Sequence, residues 1–157
     1  MSSENTSEKG QSPFGASGSP LVSDELRETL SDIKTADTTK LAYIGDAVYE
    51  VYLRLKSAGA CGRHAGDMNK YTVHYVRADS QAKAAKKLTD GFYTEEELAL
   101  FKRARNRTNT AHPRGCTPAE YKLATGFEAV IGWLYITDER DRLDAVISEA
   151  IAIIDRI

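Results

Sequence analysis

An all-α fold is predicted for residues 21–157 by three observations. Apolar residues recur at helical spacing from Leu26 to Ile154. Capping residues stand ahead of several of these runs. No segment shows the strict alternation expected of a half-buried strand.

In chain order, Ser23 or Asp24 caps a short helix with Leu26, Leu30 and Ile33 on one face. A second helix is predicted from about Thr39 to Lys56. Leu41, Ile44, Val48, Val51 and Leu55 form its main seam, and Ala42, Tyr49 and Leu53 make its other side semi-apolar. An apolar circumference of that kind predicts a central helix. Gly59 to Gly62 reads as a loop. Residues 64–77 and 80–89 read as two basic amphipathic helices. Thr94 followed by Glu97 has the spacing of a capping box and opens a helix with Leu98 and Phe101. Asn106 to Thr117 is a loop by its Asn, Thr, Pro and Gly content. Thr117, Pro118 and Glu120 then supply cap, first-turn proline and capping-box partner, opening a helix to about Ile136. A last helix spans roughly Glu139 to Arg156, with Leu143, Val146, Ile147, Ala150 and Ile154 inward.

Residues 1–20 are rich in Ser, Gly and Pro and are expected to be a disordered tail, leaving one domain over 21–157. No apolar run approaches the roughly 20 residues of a membrane span. The N-terminus lacks the basic and apolar segments of a secretory signal. Cys61 and Cys116 have no metal-ligand spacing and suggest no disulfide scaffold, so a reducing cytoplasm is expected.

The net charge of −2 conceals an asymmetry. Val51 to Lys122 holds 14 Lys or Arg against 7 Asp or Glu, and the rest of the chain holds 7 against 16. Such a middle segment can present a positive surface. Within it, Leu98–Ala119 carries Lys102, Arg103, Arg105, Arg107 and Arg114 with no acid. These are candidate phosphate contacts. Favourable placement of cations at a helix C-terminus also explains Lys102 to Arg105, but explains Arg107 and Arg114 less well. Lys70, Arg77, Lys83, Lys86 and Lys87 form a second candidate patch, or simply a solvated face.

Two acids stand out by context. Glu128 is the only ionised side chain between Leu123 and Thr137. A buried carboxylate needs a cation, donors or water, so Glu128 either meets a metal, reaches solvent or pairs with an arginine. Asp46 is the only charge in Leu41–Tyr49, flanked by Gly45 and Ala47. Small neighbours permit a close helix crossing that would bring the two acids together. Against this, Asp46, Glu50 and Arg54 at i, i+4 spacing also form a plausible solvated stripe. Two carboxylates suit Mg²⁺ or Mn²⁺, which can lower the pKa of a bound water and stabilise charge on a phosphate. There is no Gly-rich phosphate loop, no H-E-x-x-H, and no zinc spacing among His64, His74, His112 and the cysteines.

The segment LAYIGDAVYEVYLR around Asp46 resembles the signature helix of ribonuclease III catalytic domains, and TGFEAVIGWLYIT around Glu128 resembles their second acidic helix. TEEEL, KRARN and the TP-x-x-Y step extend the likeness to the Mini-ribonuclease III branch, from about Thr38 onward. The resemblance implies the ribonuclease III endonuclease-domain helical fold, a homodimer, and no double-stranded-RNA-binding domain. It implies cleavage of double-stranded RNA to 5′-phosphate and 3′-hydroxyl ends with a short 3′ overhang. It makes Asp46 and Glu128 the metal-binding catalytic acids for Mg²⁺, with Mn²⁺ as a substitute. It assigns the basic segment and its loop to RNA. Precursor 23S ribosomal RNA within the large ribosomal subunit is the substrate it suggests. Where the wider family carries further acids, this chain has Thr39, Ala42 and Thr125, so a sparse metal shell is expected. The competing expectation is a non-catalytic, ribosome-associated duplex-RNA-binding module on the same fold.

Overall fold

The computed structural model describes residues 21–107 and 113–157. The expected tail at 1–20 and the centre of the 106–117 loop lie outside them. Seven helices follow in order: α1 (Asp24–Ser31), α2 (Thr38–Ala60), α3 (Ala65–Val76), α4 (Ala78–Leu88), α5 (Glu95–Arg105), α6 (Pro118–Ile136) and α7 (Arg140–Asp155). No strand occurs among the described residues.

The caps carry the predicted chemistry. Ser23 Oγ accepts from the Leu26 N–H at 3.1 Å, and Asp37 Oδ1 accepts from Thr39 N–H at 2.9 Å. Thr117 and Glu120 close a full capping box. Thr94 Oγ1 accepts from Glu97 N–H at 3.1 Å, but the Glu97 carboxylate does not complete the second box. It is buried and faces α7, where Arg142 Nε donates to both of its oxygens at 2.8 Å. A cross-helix ion pair has therefore displaced the local capping contact.

Helix α6 is the axis of the molecule. Helices α1, α2, α4, α5 and α7 all touch it, and its Phe127, Val130, Ile131 and Leu134 are buried as their spacing predicts. The expected seam of α2 is corrected. Leu41, Ala42, Gly45, Tyr49 and Leu53 face the core, whereas Val51 and Leu55 are exposed and Ile44 and Val48 are half-buried. The reason is the α2–α6 crossing. A Cβ on Gly45 would lie 1.7 Å from the carbonyl oxygen of Glu128, and one on Gly132 would lie 2.0 Å from that of Leu41. The two backbones thus touch through paired glycines. This contact turns the Gly45 face of α2 inward and the Ile44–Leu55 stripe outward. The small residues that permit the crossing are Gly45 and Gly132, while Ala47 is exposed.

Candidate active site

The glycine crossing places Asp46 of α2 beside Glu128 of α6. Their carboxyl groups lie within hydrogen-bonding reach of each other. Asp46 stands at the exposed edge of this pair and Glu128 is half-buried beneath it. The solvated stripe is real further along α2, where Arg54 pairs with Glu50 at 2.7 Å. It coexists with the Asp46–Glu128 contact.

The pair lies in a cavity of about 380 Å³. Thr39, Ala42 and Tyr43 of α2 line it, as do Gln81 of α4, Arg105 of α5, and Tyr121, Lys122 and Thr125 of α6; Arg107 and Pro113 border it from the loop. Thr39, Ala42 and Thr125, where further acids were missing in the resemblance, thus all face this space. Gln81 and Lys122 are lining residues that sequence reasoning did not single out. Gln81 carried no signal in the single chain except a polar residue among alanines, and Lys122 resembled any exposed lysine near the start of a helix.

The electrostatics of the pair disfavours two bare negative charges. Burial, and then the charge of Asp46, push Glu128 up to about 8, with a hydrogen bond from Gln81 opposing the shift. Partial burial and then the charge of Glu50 raise Asp46 as well. A divalent cation would relieve both the desolvation and the repulsion. The donors are oxygens, which suits Mg²⁺ or Mn²⁺. Gln81 Oε1 adds a buried oxygen with no hydrogen-bond partner. No cluster of three or more His, Cys, Asp or Glu suited to a metal occurs among the described residues.

The five candidate cations separate. Arg105 and Arg107 reach the cavity. The Arg105 guanidinium lies 5.7 Å from the Phe101 ring centre. Arg107 Nη1 lies 3.0 Å from Asp37 Oδ1. Lys102 and Arg114 are exposed and line no part of the cavity. Arg103 is half-buried, and its guanidinium donates to the carbonyls of Ala36 at 2.8 Å and Ile33 at 2.9 Å. It therefore ties α5 to the α1–α2 connection.

An all-helical domain with two acids beneath an arginine rim has the makings of a phosphodiester-cleaving nuclease. The ribonuclease III domain model matches residues 39–139 and spans both acids. Mini-ribonuclease 3 of Thermoanaerobacter sp. is 37% identical over 115 residues, covering 73% of this chain and 80% of that protein. Mini-ribonuclease 3 of Symbiobacterium thermophilum is 34% identical over 127 residues, covering 81% and 97%. A crystal structure of a Fusobacterium nucleatum protein superimposes with a TM-score of 0.69 at 32% identity, covering 81% of this chain and 99% of that one. The chain belongs to the ribonuclease III domain family, in its Mini-ribonuclease 3 branch, and is an endoribonuclease of that type. No described helix is long and apolar enough to cross a membrane.

Proposed function

We propose that this chain is a divalent-metal-dependent endoribonuclease that cuts double-stranded RNA as a homodimer, with precursor 23S ribosomal RNA of the large subunit as its cytoplasmic substrate. The observation that carries the metal reading is the contact of Asp46 with Glu128 at the base of a cavity rimmed by Arg105, Arg107 and Lys122. Asp46 and Glu128 hold Mg²⁺, for which Mn²⁺ can substitute. When bound, the ion supplies an activated water and charge stabilisation at the scissile phosphate.

The remaining work falls to the chain itself. Arg105 and Arg107 meet the phosphates that flank the cut, and Lys102 and Arg114 extend the basic track over the outer surface. Arg103 supports that track by holding α5 in place. Asp37, which pairs with Arg107 at 3.0 Å, keeps that guanidinium at the cavity edge. The products carry 5′-phosphate and 3′-hydroxyl ends. A homodimer is supported by the exposed apolar stripe of α2 described above.

Incubation with precursor 23S RNA and Mg²⁺, followed by end mapping, tests the proposal. Asp46→Asn and Glu128→Gln should each slow cleavage about 1,000-fold, the equivalent of about 4 kcal/mol of lost transition-state stabilisation, while retaining RNA binding. Wild-type rates in either variant would refute the assignment of the acids. Binding of duplex RNA without cleavage in Mg²⁺ or Mn²⁺ would favour the non-catalytic module.

A further inference from the structure

Gln81 is 2% exposed, although its side chain is a primary amide. It sits in the first turns of α4, immediately after the tight α3–α4 corner at Arg77. Its Nε2 donates to the carbonyl oxygen of Val76, the last residue of α3, at 2.9 Å. A carbonyl can only accept, so this contact fixes which end of the amide is nitrogen. The same side chain lines the cavity beside Glu128 and favours its charged carboxylate, as an amide dipole turned toward it does. The amide is thus bonded to α3 while it shares a cavity with the acid of α6. Oε1 is left buried without a hydrogen-bond partner.

A polar side chain needed only to close the α3–α4 corner would require the Val76 contact alone. Gln81 also lines the same cavity as Asp46 and Glu128, and its buried Oε1 has no hydrogen-bond partner there. Among the described residues no group of three or more His, Cys, Asp or Glu suited to a metal surrounds the two acids. Side chains that orient ligands from behind commonly influence affinity 10- to 100-fold.

We infer that Gln81 is a positioning residue of the nuclease site, its amide fixing the Glu128 carboxylate beside Asp46 for a divalent cation. This inference rests on the two-acid reading above. Removing the amide leaves Glu128 able to rotate within the cavity, so cation affinity and turnover fall together. RNA affinity, which depends on the arginine rim, stays close to that of the wild type.

The test compares full-length wild type, Gln81→Met and Gln81→His. Gln81→Met keeps the length of the side chain without its donors, and Gln81→His restores one N–H. Mn²⁺ affinity is measured by calorimetry in the absence of RNA, and the rise in Tm on adding Mn²⁺ is measured alongside. For Gln81→Met the expected results are about 10-fold weaker Mn²⁺ binding, a smaller Mn²⁺-induced rise in Tm, and a lower kcat at unchanged KM. Gln81→His should recover part of each loss. If Gln81→Met does not fold, weakened Mn²⁺ binding in Gln81→His relative to wild type supports the inference, and wild-type binding there overturns it. A lower Tm with unchanged Mn²⁺ affinity and kcat would leave Gln81 as a corner brace and overturn the inference alone. Absence of Mn²⁺ binding in the wild type would instead overturn the two-acid reading, and with it the inference.

Discussion

At the scale of single residues, Glu128 shows most directly what the site requires. Its carboxyl is raised to about 8, through burial first and the nearby Asp46 second. The unfolded chain gives up that proton near the ordinary 4.5, so between those values the unfolded state binds fewer protons than the folded one. The stability of metal-free protein must therefore fall as pH rises from about 5 to 8, and level off above that. Urea unfolding in a chelator at several pH values should show this decline, and Glu128→Gln should flatten it. Parallel curves for wild type and variant would contradict the assignment. Added Mg²⁺ should restore stability most at the alkaline end, where the folded carboxylate is charged. Both acids stood out in the sequence as lone charges in apolar stretches, and the family resemblance rather than that context gave them a metal-binding role. Gln81 and Lys122 did not, since a single chain contains no record of which helices meet. Arg103 was only partly legible for the same reason. Its place in a basic run suggested an RNA contact, while its actual partners, the carbonyls of Ile33 and Ala36, lie some seventy positions away.

Among the elements, the α2–α6 crossing does most to create the site. The carboxylates meet because two glycines let the helix backbones touch. Gly45→Ala would set a methyl 1.7 Å from the Glu128 carbonyl oxygen, and helix backbone cannot yield as a flexible side chain can. The expected cost is about 3 kcal/mol or more, with the crossing forced apart. Cleavage should fall further than the loss of folded protein explains, and activity per folded molecule, normalised by circular dichroism, measures the difference. Unchanged specific activity would show that the acids do not depend on this contact. Helix α6 ends in a Schellman arrangement. Glu139 N–H bonds to the Leu134 carbonyl at 2.9 Å and Asp138 N–H to that of Tyr135 at 3.2 Å. Asp138 holds φ +56° there, a conformation that glycine adopts without strain. Asp138→Gly should stabilise the protein by about 1 kcal/mol, raising Tm without altering cleavage. A lower Tm would mean that the Asp138 side chain contributes more than the strain costs. Helix existence, caps and most boundaries were readable because they depend on local contacts. The inward face of α2 and the partner of Glu97 depend on packing between helices, so the local pattern favoured the wrong seam and a capping box that is only half formed.

At the scale of the whole molecule, the described residues present an exposed apolar stripe along α2. Tyr43 is 83% exposed, Leu55 60% and Val51 45%, all on the outward side of α2. Ile44, Val48 and Tyr52 continue that side, and with Tyr135 they line a shallow groove that reaches Asp46. Contiguous exposed apolar residues of this kind mark association surfaces. Two copies paired about a twofold axis would each cover the stripe of the other, the same patch serving on both sides. Tyr43 and Asp46 line both this groove and the cavity of the acids, so the rim of such an interface would adjoin the site. Pairing would then set two cutting sites at a fixed separation, which suits cleavage of both strands of a duplex. Leu55→Glu places a charge within the stripe but outside both the cavity and the core. It should convert the species seen by sedimentation at micromolar concentration from dimer to monomer, with helical content unchanged. Cleavage of long duplex RNA should drop at least about tenfold, because each RNA-binding surface would lose the phosphate contacts made by its partner. A wild-type protein that sediments as a monomer, or a monomeric variant that cuts both strands as efficiently as the wild type, would show that the apolar face of α2 serves something other than self-association.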